Sequence, residues 1–268
     1  MIRDITIGQY YPAKSVLHRL DPRVKLVGTL LYLISLFLFN SIPGYVMTTL
    51  FLIIIIKMSR VPFSFIVRGL KPVIMLLMIT VLFNLFLTRD GAVLFHAWIF
   101  TITEGGLRTA VYMAIRLIYL IIGSSLMTLT TTPIALTDGL ERLLMPLSKI
   151  HFPAHELAMM MTIALRFIPT LIEEADKIMK AQMARGADFE SGNLIKRARN
   201  MIPILVPLFV SAFRRADELA MAMESRCYHG GEGRTRMNVL KFGRGEGAAA
   251  AAFIVLTALT VAAQKLIP

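Results

Sequence analysis

The stretch from His155 to Tyr228 decides how this chain folds. It contains two long, mostly helical segments, HELAMMMTIALRFIPTLIEEADKIMKAQMARGADF beginning at His155 and NMIPILVPLFVSAFRRADELAMAMESRCYHGG beginning at Asn200. Each segment starts with an apolar half broken by proline and continues into a charged half that ends on an arginine at a predicted helix end. The prolines are Pro169 in the first segment and Pro203 and Pro207 in the second; the closing residues are Ala184, Arg185 and Gly186, and Ser225, Arg226 and Cys227.

Neither segment is predicted to cross a membrane. Their uncharged apolar runs, residues 157–165 and 201–213, are shorter than the ~20 residues that a spanning helix needs. They suit a helix that lies against the membrane or shallowly inside it. In the charged half of the first segment, Glu173 with Lys177 and Asp176 with Lys180 have the i, i+4 spacing of a solvated helix. At ~1.5 Å per residue this helix is predicted to be about 45 Å long, the geometry of a coupling arm.

The composition is that of an integral membrane protein. Of the 268 residues, 56% are hydrophobic, and the mean hydropathy is +0.66, far above that of an average soluble domain. The formal net charge of +12 is interpreted by position, because excess Lys and Arg mark cytoplasmic loops. No zinc-finger or RNA-binding signature accompanies this charge, so no nucleic acid is predicted as a partner. The single cysteine, Cys227, excludes an intrachain disulfide.

The apolar stretches predict an all-α integral membrane protein with about five transmembrane helices. Residues 27–56 carry no charge but contain a turn signal at residues 40–44, so they are predicted to form two short crossings joined by a tight loop. Basic residues flank this pair on both sides, which places both flanks in the cytoplasm. The remaining crossings are predicted at residues 72–88, 107–131 and 248–267, with residues 93–102 at the outer interface. The N-terminus is then cytoplasmic and the C-terminus outside.

Four regions follow from this topology. Residues 1–131 form an N-terminal membrane part with four crossings, and residues 132–229 form a cytoplasmic region of long coupling helices. Residues 230–247 are predicted as a flexible basic linker, because they are rich in glycine and arginine, and residues 248–268 as the C-terminal crossing. Arg116 falls inside the fourth crossing. It either snorkels to the outer interface or pairs within the bundle, or it contacts a membrane partner.

The sequence contains no constellation of residues for catalysis. It has no G-x-x-x-x-G-K-[ST] loop to bind ATP phosphates. His155 and Glu156 begin a near match to the zinc-protease pattern H-E-x-x-H, but Met159 stands where the second zinc ligand must be. The chain is therefore predicted not to be an enzyme and to hold no cofactor or metal of its own.

The two arginine ends allow two interpretations. An arginine followed by glycine at a helix C-terminus is ordinary capping, in which the charge on the helix dipole contributes ~0.3 to 1 kcal/mol. Two such ends, 41 residues apart on helices of similar plan, also indicate a repeated docking element. An arginine that pairs with a carboxylate on a partner is desolvated there, and breaking such a pair costs ~2 to 5 kcal/mol.

At these residues the chain resembles the transmembrane T components of energy-coupling factor (ECF) vitamin transporters, in the broader family that includes the CbiQ cobalt-transport subunit. The resemblance covers most of the chain. It lies in the two segments quoted above and in the blocks SVLHRLDPRVKL and TTPIALTDGLERLLMPL. It implies a membrane scaffold, in the cell membrane of a prokaryote, that binds two cytoplasmic ATPase subunits and a separate vitamin-binding S component. ATP and Mg²⁺ are then bound by the partner ATPases.

The resemblance also implies roles for individual residues. In the family, two coupling helices end in X-R-G motifs that insert into grooves of the two ATPases. Ala184, Arg185 and Gly186 match the first motif. Ser225, Arg226 and Cys227 match the second, except that Cys227 stands where glycine is usual, which leaves the form of this helix end open.

A substrate-subunit interface is predicted on the apolar halves of the two segments. The implied mechanism is that ATP binding closes the ATPases and the helices carry this movement to the membrane face that holds the S component. Methionine repacks easily against different partners, so an adaptable face is one interpretation and plain core filling is the other. The residues of the predicted interface are Met159, Met160, Pro169, Pro203 and Pro207.

Other classes of protein compete with this interpretation. A self-sufficient secondary transporter with Arg116 at its centre conflicts with the scarcity of intramembrane acids. A membrane enzyme with a metal site conflicts with the failed zinc pattern and the lone cysteine. The permease of an ordinary ABC importer is expected to dock its ATPases through one short coupling loop, not through two long helices that end in arginine. The vitamin itself is expected to be recognised by another chain.

Overall fold

Helices form nearly all of the regular structure. The computed structural model describes residues 10–88, 92–97, 100–189, 193–230 and 243–266, and within these ranges the predicted all-α fold is confirmed, with one two-stranded hairpin added. The elements are α1 (Val16–Arg19), α2 (Pro22–Leu38), α3 (Ile42–Ser59), α4 (Phe63–Leu70), α5 (Ile74–Leu87), β1 (Val93–Ala97), β2 (Phe100–Thr103), α6 (Glu104–Thr130), α7 (Pro133–Leu144), α8 (Ala154–Ala184), α9 (Leu194–Asn200), α10 (Ile202–Glu224) and α11 (Arg244–Leu266).

The chain divides into two compact units. The membrane unit takes in the described residues up to Leu140 together with 243–266, and the long-helix unit takes in the described residues from Glu141 to 230. The C-terminal helix α11 belongs to the membrane unit because it packs against α2 and α3. The region boundaries predicted from the topology, after residues 131, 229 and 247, stay predictions.

The predicted pair of short helices is present as α2 and α3. Asp21 begins α2 by accepting a hydrogen bond from the N–H of Arg23, with proline in the first turn. The turn is shorter than predicted, because α3 already begins at Ile42 and includes Pro43 and Gly44. Proline is tolerated there because the first N–H groups of a helix have no helical partner. With 17 residues, α2 is about 26 Å long, slightly less than a ~30 Å hydrocarbon core.

The core of the membrane unit lies where α2, α3, α4, α6 and α11 meet. Two glycines allow the close approach of these helices. A Cβ atom at Gly28 would lie 2.5 Å from the ring of Phe253 on α11, and one at Gly123 would overlap the ring of Tyr32. Small residues permit such contacts between membrane helices. The buried apolar residues are Tyr32, Leu36, Phe39, Tyr45, Leu52, Val61, Ile66, Ile122, Leu126, Leu129 and Leu256.

Arg116, the charge inside the fourth predicted crossing, pairs within the membrane unit. Its Nη2 donates to the carbonyl oxygen of Phe39 at 2.9 Å and to the side-chain oxygen of Asn40 at 2.5 Å. The hydroxyl of Tyr45 also accepts from it, at 3.3 Å, and the ring of Phe37 lies 5.6 Å away. These contacts tie α6 to the turn between α2 and α3. Pairing within the bundle is therefore the interpretation that is confirmed.

Five helical stretches of the described residues are long and apolar enough to cross a membrane. Four of them overlap the second to fifth predicted crossings, whereas α2, with 17 residues, is not among them. The fifth is α8, which was not predicted to cross a membrane. That prediction rested only on the length of its uncharged run, residues 157–165. The helix continues through Arg166 and Pro169, and its apolar stretch is the least hydrophobic of the five. The stretches are Ile42–Ser59, Phe63–Leu87, Glu104–Thr130, Ala154–Ala184 and Gly245–Gln264.

Three local boundaries differ from the predictions. The third stretch begins at Phe63, because a 3-10 turn at Lys71–Val73 carries the helix past Pro72. Val93–Ala97 and Phe100–Thr103 form the antiparallel pair β1 and β2, in a stretch whose position at the outer interface stays a prediction. Most of the predicted linker lies outside the described residues, but α11 already begins at Arg244. Glu246 in its first turn accepts a hydrogen bond from the N–H of Gly243 at 2.7 Å, which stabilises this helix start.

Candidate functional site

The helices that carry the two arginines are continuous. α8 runs unbroken through Pro169, and α10 runs unbroken through Pro207. The prediction that proline breaks the apolar halves is therefore wrong: each internal proline removes one hydrogen bond, but the flanking turns continue the helix. Pro203 lies in the first turn of α10, where a missing N–H has no cost. With 31 residues, α8 is about 46 Å long, close to the predicted length.

Three contacts show that α8 and α10 pack antiparallel. Nη2 of Arg215 donates to Oε2 of Glu174 at 3.0 Å, and the hydroxyl of Ser211 donates to Oε1 of the same carboxylate. Further along α8, the side-chain amide of Gln182 donates to the carbonyl oxygen of Pro203 at 3.4 Å. A later residue of α8 thus contacts an earlier residue of α10. The two helices therefore run in opposite directions.

Pro207 explains why the carbonyl group of Pro203 is available to a neighbouring helix. In an α-helix this oxygen accepts a hydrogen bond from the N–H four residues later, and proline has none. Gln182 supplies the missing donor from α8. The hydrogen bond that Pro207 cannot make within α10 is thus replaced by a hydrogen bond between the two helices.

The oppositely charged residues spaced i, i+4 along α8 form no ion pairs in the part of the chain that the structure describes. Neither Glu173 with Lys177 nor Asp176 with Lys180 forms an ion pair there. Exposed pairs at this spacing are worth only ~0.3 to 0.5 kcal/mol, which is too little to hold long side chains together. The carboxylate between them in sequence, Glu174, instead reaches α10.

The ion pair of Glu174 with Arg215 joins equivalent positions of the two helices. Arg185 comes 11 residues after Glu174, and Arg226 comes 11 residues after Arg215. At ~1.5 Å per residue, each closing arginine lies roughly 16 Å from the ion pair along its own helix, in opposite directions. An antiparallel pair that meets at equivalent positions has approximate two-fold symmetry. The two arginine ends are related by this axis and lie on the order of 30 Å apart.

The end of α8 is a Schellman cap. The N–H of Gly186 donates to the carbonyl oxygen of Met183 at 2.9 Å, and the N–H of Ala187 donates to that of Gln182 at 3.0 Å. Gly186 has a φ of +87°, the left-handed conformation that glycine adopts without steric cost. Arg185 is the last residue before this reversal of the chain.

The end of α10 has the same cap with cysteine in the place of glycine. The N–H of Cys227 donates to the carbonyl oxygen of Glu224 at 2.9 Å, and the N–H of Tyr228 donates to that of Met223 at 3.1 Å. Cys227 has a φ of +55°, so it takes the left-handed position that Gly186 takes in α8. The form of this helix end, left open by the sequence, is therefore the same as that of the first.

Replacing Cys227 with glycine is expected to stabilise the chain by about 1 kcal/mol. A left-handed conformation costs an L-residue ~1 to 2 kcal/mol, and the greater freedom of glycine in the unfolded chain offsets part of this gain. Thermal unfolding of the purified chain in detergent is expected to show a midpoint about 2 to 4 °C higher. The matched change at the other end, Gly186→Ala, is expected to lower the midpoint. A lower midpoint for Cys227→Gly would contradict the shared cap.

Both closing arginines are exposed. Among the described residues, neither guanidinium makes a hydrogen bond or an ion pair. Their caps are formed by backbone groups alone, so the arginine side chains are not needed to end the helices. Each end presents a planar fork of N–H donors suited to a carboxylate.

The residues predicted for a substrate-subunit interface are not brought together. Pro203 contacts Gln182, which lies 22 residues after Met160 on α8, or about 33 Å along the helix. Met160 is 54% exposed, which disfavours core filling for its side chain. Within the apolar run 201–213 noted from the sequence, the predicted interface residues leave out an exposed apolar stripe on α10, which the i, i+3, i+4 spacing indicates. The stripe consists of Ile202, Leu205, Val206, Phe209, Val210 and Phe213.

No metal site is found among the described residues. No group of three or more His, Cys, Asp or Glu side chains is close enough to hold an ion there. His155, the first residue of the near match to H-E-x-x-H, contacts Glu141 through Nδ1 at 3.0 Å. This contact gives the imidazole of His155 a partner on α7.

Comparison with known proteins places these features in a family. The family model described as cobalt transport protein, CbiQ, matches residues 13–237. Proteins called energy-coupling factor transporter transmembrane protein EcfT are similar over nearly the whole chain. The protein of Clostridium kluyveri is 57% identical over 262 residues, which cover 97% of this chain and 97% of that protein. That of Bacillus subtilis is 50% identical over 259 residues, covering 97% of this chain and 98% of that protein. That of Lactococcus lactis subsp. cremoris is 42% identical over 264 residues, covering 98% of this chain and 99% of that protein. The chain therefore belongs to the CbiQ cobalt transport protein family, as a transmembrane component of the energy-coupling factor type.

Proposed function

We propose that the chain couples ATP hydrolysis by two cytoplasmic ATPase subunits to vitamin uptake through a separate S component in the membrane. The observation that carries the proposal is the matched pair of exposed arginine ends. Related subunits usually assemble about a two-fold axis. Two helix ends related by such an axis fit one end in the groove of each ATPase.

Each docking end consists of the arginine and its two neighbours. Ala184, Arg185 and Gly186 form the first, and Ser225, Arg226 and Cys227 form the second. The arginine fork pairs with a carboxylate in the ATPase groove, where exclusion of water strengthens the pair. ATP and Mg²⁺ bind to the ATPases, and this chain contributes no catalytic residue.

Movement of the ATPases reaches the membrane through the α8 and α10 pair. When ATP binding closes the ATPases, the two docking ends are displaced together, and the helices turn about the ion pair of Glu174 with Arg215. Pro169 and Pro207 each lack one helical hydrogen bond, so we expect α8 and α10 to bend there as the ATPases move. Rigid helices with local bends transmit a displacement over their full length.

The S component is proposed to bind the apolar surfaces of this pair. The exposed stripe of α10 with Pro203 and Pro207 provides one surface. Met159 and Met160 near the start of α8 provide a second, where methionine adapts to different partners. An exposed apolar surface of this kind is typical of a protein interface or a membrane contact.

The multi-pass chain is proposed to sit in the cell membrane of a prokaryote with its N-terminus inside and its C-terminus outside. Basic residues on both sides of the α2 and α3 pair support this orientation. Protease protection of tags at the two ends, measured in sealed vesicles, tests it. An N-terminal tag cut from outside would reverse the orientation.

The experiment that tests the proposed function is reconstitution from defined subunits. The full chain is co-expressed with its candidate ATPase pair and S component, purified through a tag on this chain and placed in liposomes. We expect both ATPases and the S component to co-purify, and vitamin uptake to require ATP. Uptake by the purified chain alone would identify a secondary transporter instead. Failure of the ATPases to co-purify would contradict the coupling role.

A further inference from the structure

Two adjoining cavities in the membrane unit together have the chemistry of a phospholipid. One is apolar, with a volume of about 260 Å³, and the other is polar, with a volume of about 290 Å³. Leu20, Lys25 and Thr130 line both. The two cavities therefore meet at the buried lysine and form one amphipathic site.

The apolar cavity lies between α2, α3, α6 and α11. Its walls include the rings of Tyr32, Phe51 and Phe253 and the methyl group of Ala252. Three of these four helices contain stretches apolar enough to cross a membrane. A cavity with such walls does not hold water stably. An acyl chain from the surrounding bilayer fits it.

The polar cavity contains buried groups with unused hydrogen-bonding capacity. Lys25 is 8% exposed, and its Nζ donates to the carbonyl oxygens of Thr130 at 2.9 Å and of His18 at 3.5 Å. Thr131 is 6% exposed, and its hydroxyl has no hydrogen-bond partner among the described residues. A buried hydroxyl without a partner is unfavourable. It points to a polar ligand atom as the partner.

The polar cavity is lined by charges of both signs. Arg19 and Lys25 are positive, and Asp21 and Glu246 are negative. Asp21 is 5% exposed and is held by Arg23 at 3.2 Å, so its carboxylate is fixed at the wall of the cavity. A headgroup that carries both a phosphate and an ammonium with N–H donors matches this set. A purely anionic headgroup gives Glu246 no cationic partner, whereas Asp21 already has Arg23, and a choline headgroup has no N–H to donate.

We propose that this site binds one molecule of phosphatidylethanolamine. The phosphate lies at Lys25 and Thr131, the ammonium lies at Asp21 and Glu246, and one acyl chain fills the apolar cavity. Because α11 and α2 both line the site, the lipid joins the C-terminal helix to the N-terminal helices. The site belongs to the membrane unit and is independent of the arginine ends.

Native mass spectrometry of the purified, delipidated full chain tests the site. Dioleoyl phosphatidylethanolamine, phosphatidylcholine and phosphatidylglycerol are added in turn, and the lipid adducts are counted. We expect one tightly held phosphatidylethanolamine, with an affinity about tenfold higher than that of the other two, the effect of one hydrogen bond to a charged group. Thr131→Val is isosteric and is expected to weaken the binding of all three lipids alike while the chain stays folded, because the phosphate that the hydroxyl contacts is common to them.

The apolar cavity has a matched pair of test variants on α11. Ala252→Phe fills the cavity and is expected to abolish the tight adduct, whereas Ala251→Phe is the same change at an exposed neighbour that does not line it. Equal binding of the three lipids, or equal loss in the two phenylalanine variants, would show surrounding bilayer lipid only and overturn the proposal. Preference for phosphatidylglycerol would overturn the choice of headgroup. Binding of the three lipids to Thr131→Val that is as tight as to the unchanged chain would contradict the placement of the phosphate at this hydroxyl.

Discussion

Reversing the charge of both closing arginines, Arg185→Glu with Arg226→Glu, is expected to abolish binding of the ATPases. Breaking a desolvated pair of opposite charges costs ~2 to 5 kcal/mol, so two such losses correspond to roughly a thousand-fold weaker assembly or more. The measurement is co-purification of the ATPase pair with the tagged chain from membranes, followed by vitamin uptake in liposomes. Each single variant is expected to weaken assembly less than the double variant does.

A control variant carries the same change of charge on the same helices. Lys180→Glu with Arg214→Glu reverses one exposed basic residue on α8 and one on α10, and it is expected to retain both ATPases. The caps of the double arginine variant are made by backbone groups, so its thermal unfolding midpoint is expected to change little. If the double arginine variant assembles and transports normally, the arginines do not dock the ATPases and the coupling site lies elsewhere.

Replacing Glu174 with arginine is expected to reduce vitamin uptake about tenfold or more while both ATPases stay bound. The change removes the acceptor of Ser211 and Arg215 and places two like charges at the point where α8 and α10 meet. The side chains of Arg215 and Glu174 are 37% and 24% exposed, so the ion pair itself contributes only ~1 kcal/mol to stability. The larger effect is on transport, because the docking ends depend on this contact for their relative position.

The charge swap Glu174→Arg with Arg215→Glu tests the mechanism directly. It restores the ion pair in the opposite sense, so uptake is expected to recover in part, and the double-mutant cycle gives the coupling between the two residues. Glu173→Arg is the matched control on the adjacent, exposed residue and is expected to transport normally. A swap that recovers nothing, or a Glu174→Arg variant with full uptake, would mean that the contact does not transmit movement.

Much of the fold could be predicted because hydropathy and turn residues act locally. The uncharged run interrupted near Asn40 predicted the pair α2 and α3, and residues 107–131 predicted α6 to within a few residues. The arginine ends were also visible, since a helix that stops at arginine and glycine is a local signal. Cys227 hid the second cap, because the left-handed conformation of a cysteine depends on its context and not on its own preference.

The sequence by itself therefore determined the membrane class, the helices and the two arginine ends, because each depends on residues that are neighbours in the chain. Only the tertiary structure decided which helices meet and in what register. The pairing of Glu174 with Arg215 and that of Arg116 with the turn at Asn40 join residues far apart in sequence, and many other partners have the same charge or hydrogen-bonding capacity. Packing selects among them, because it fixes the distance and direction between helices to within the reach of one side chain.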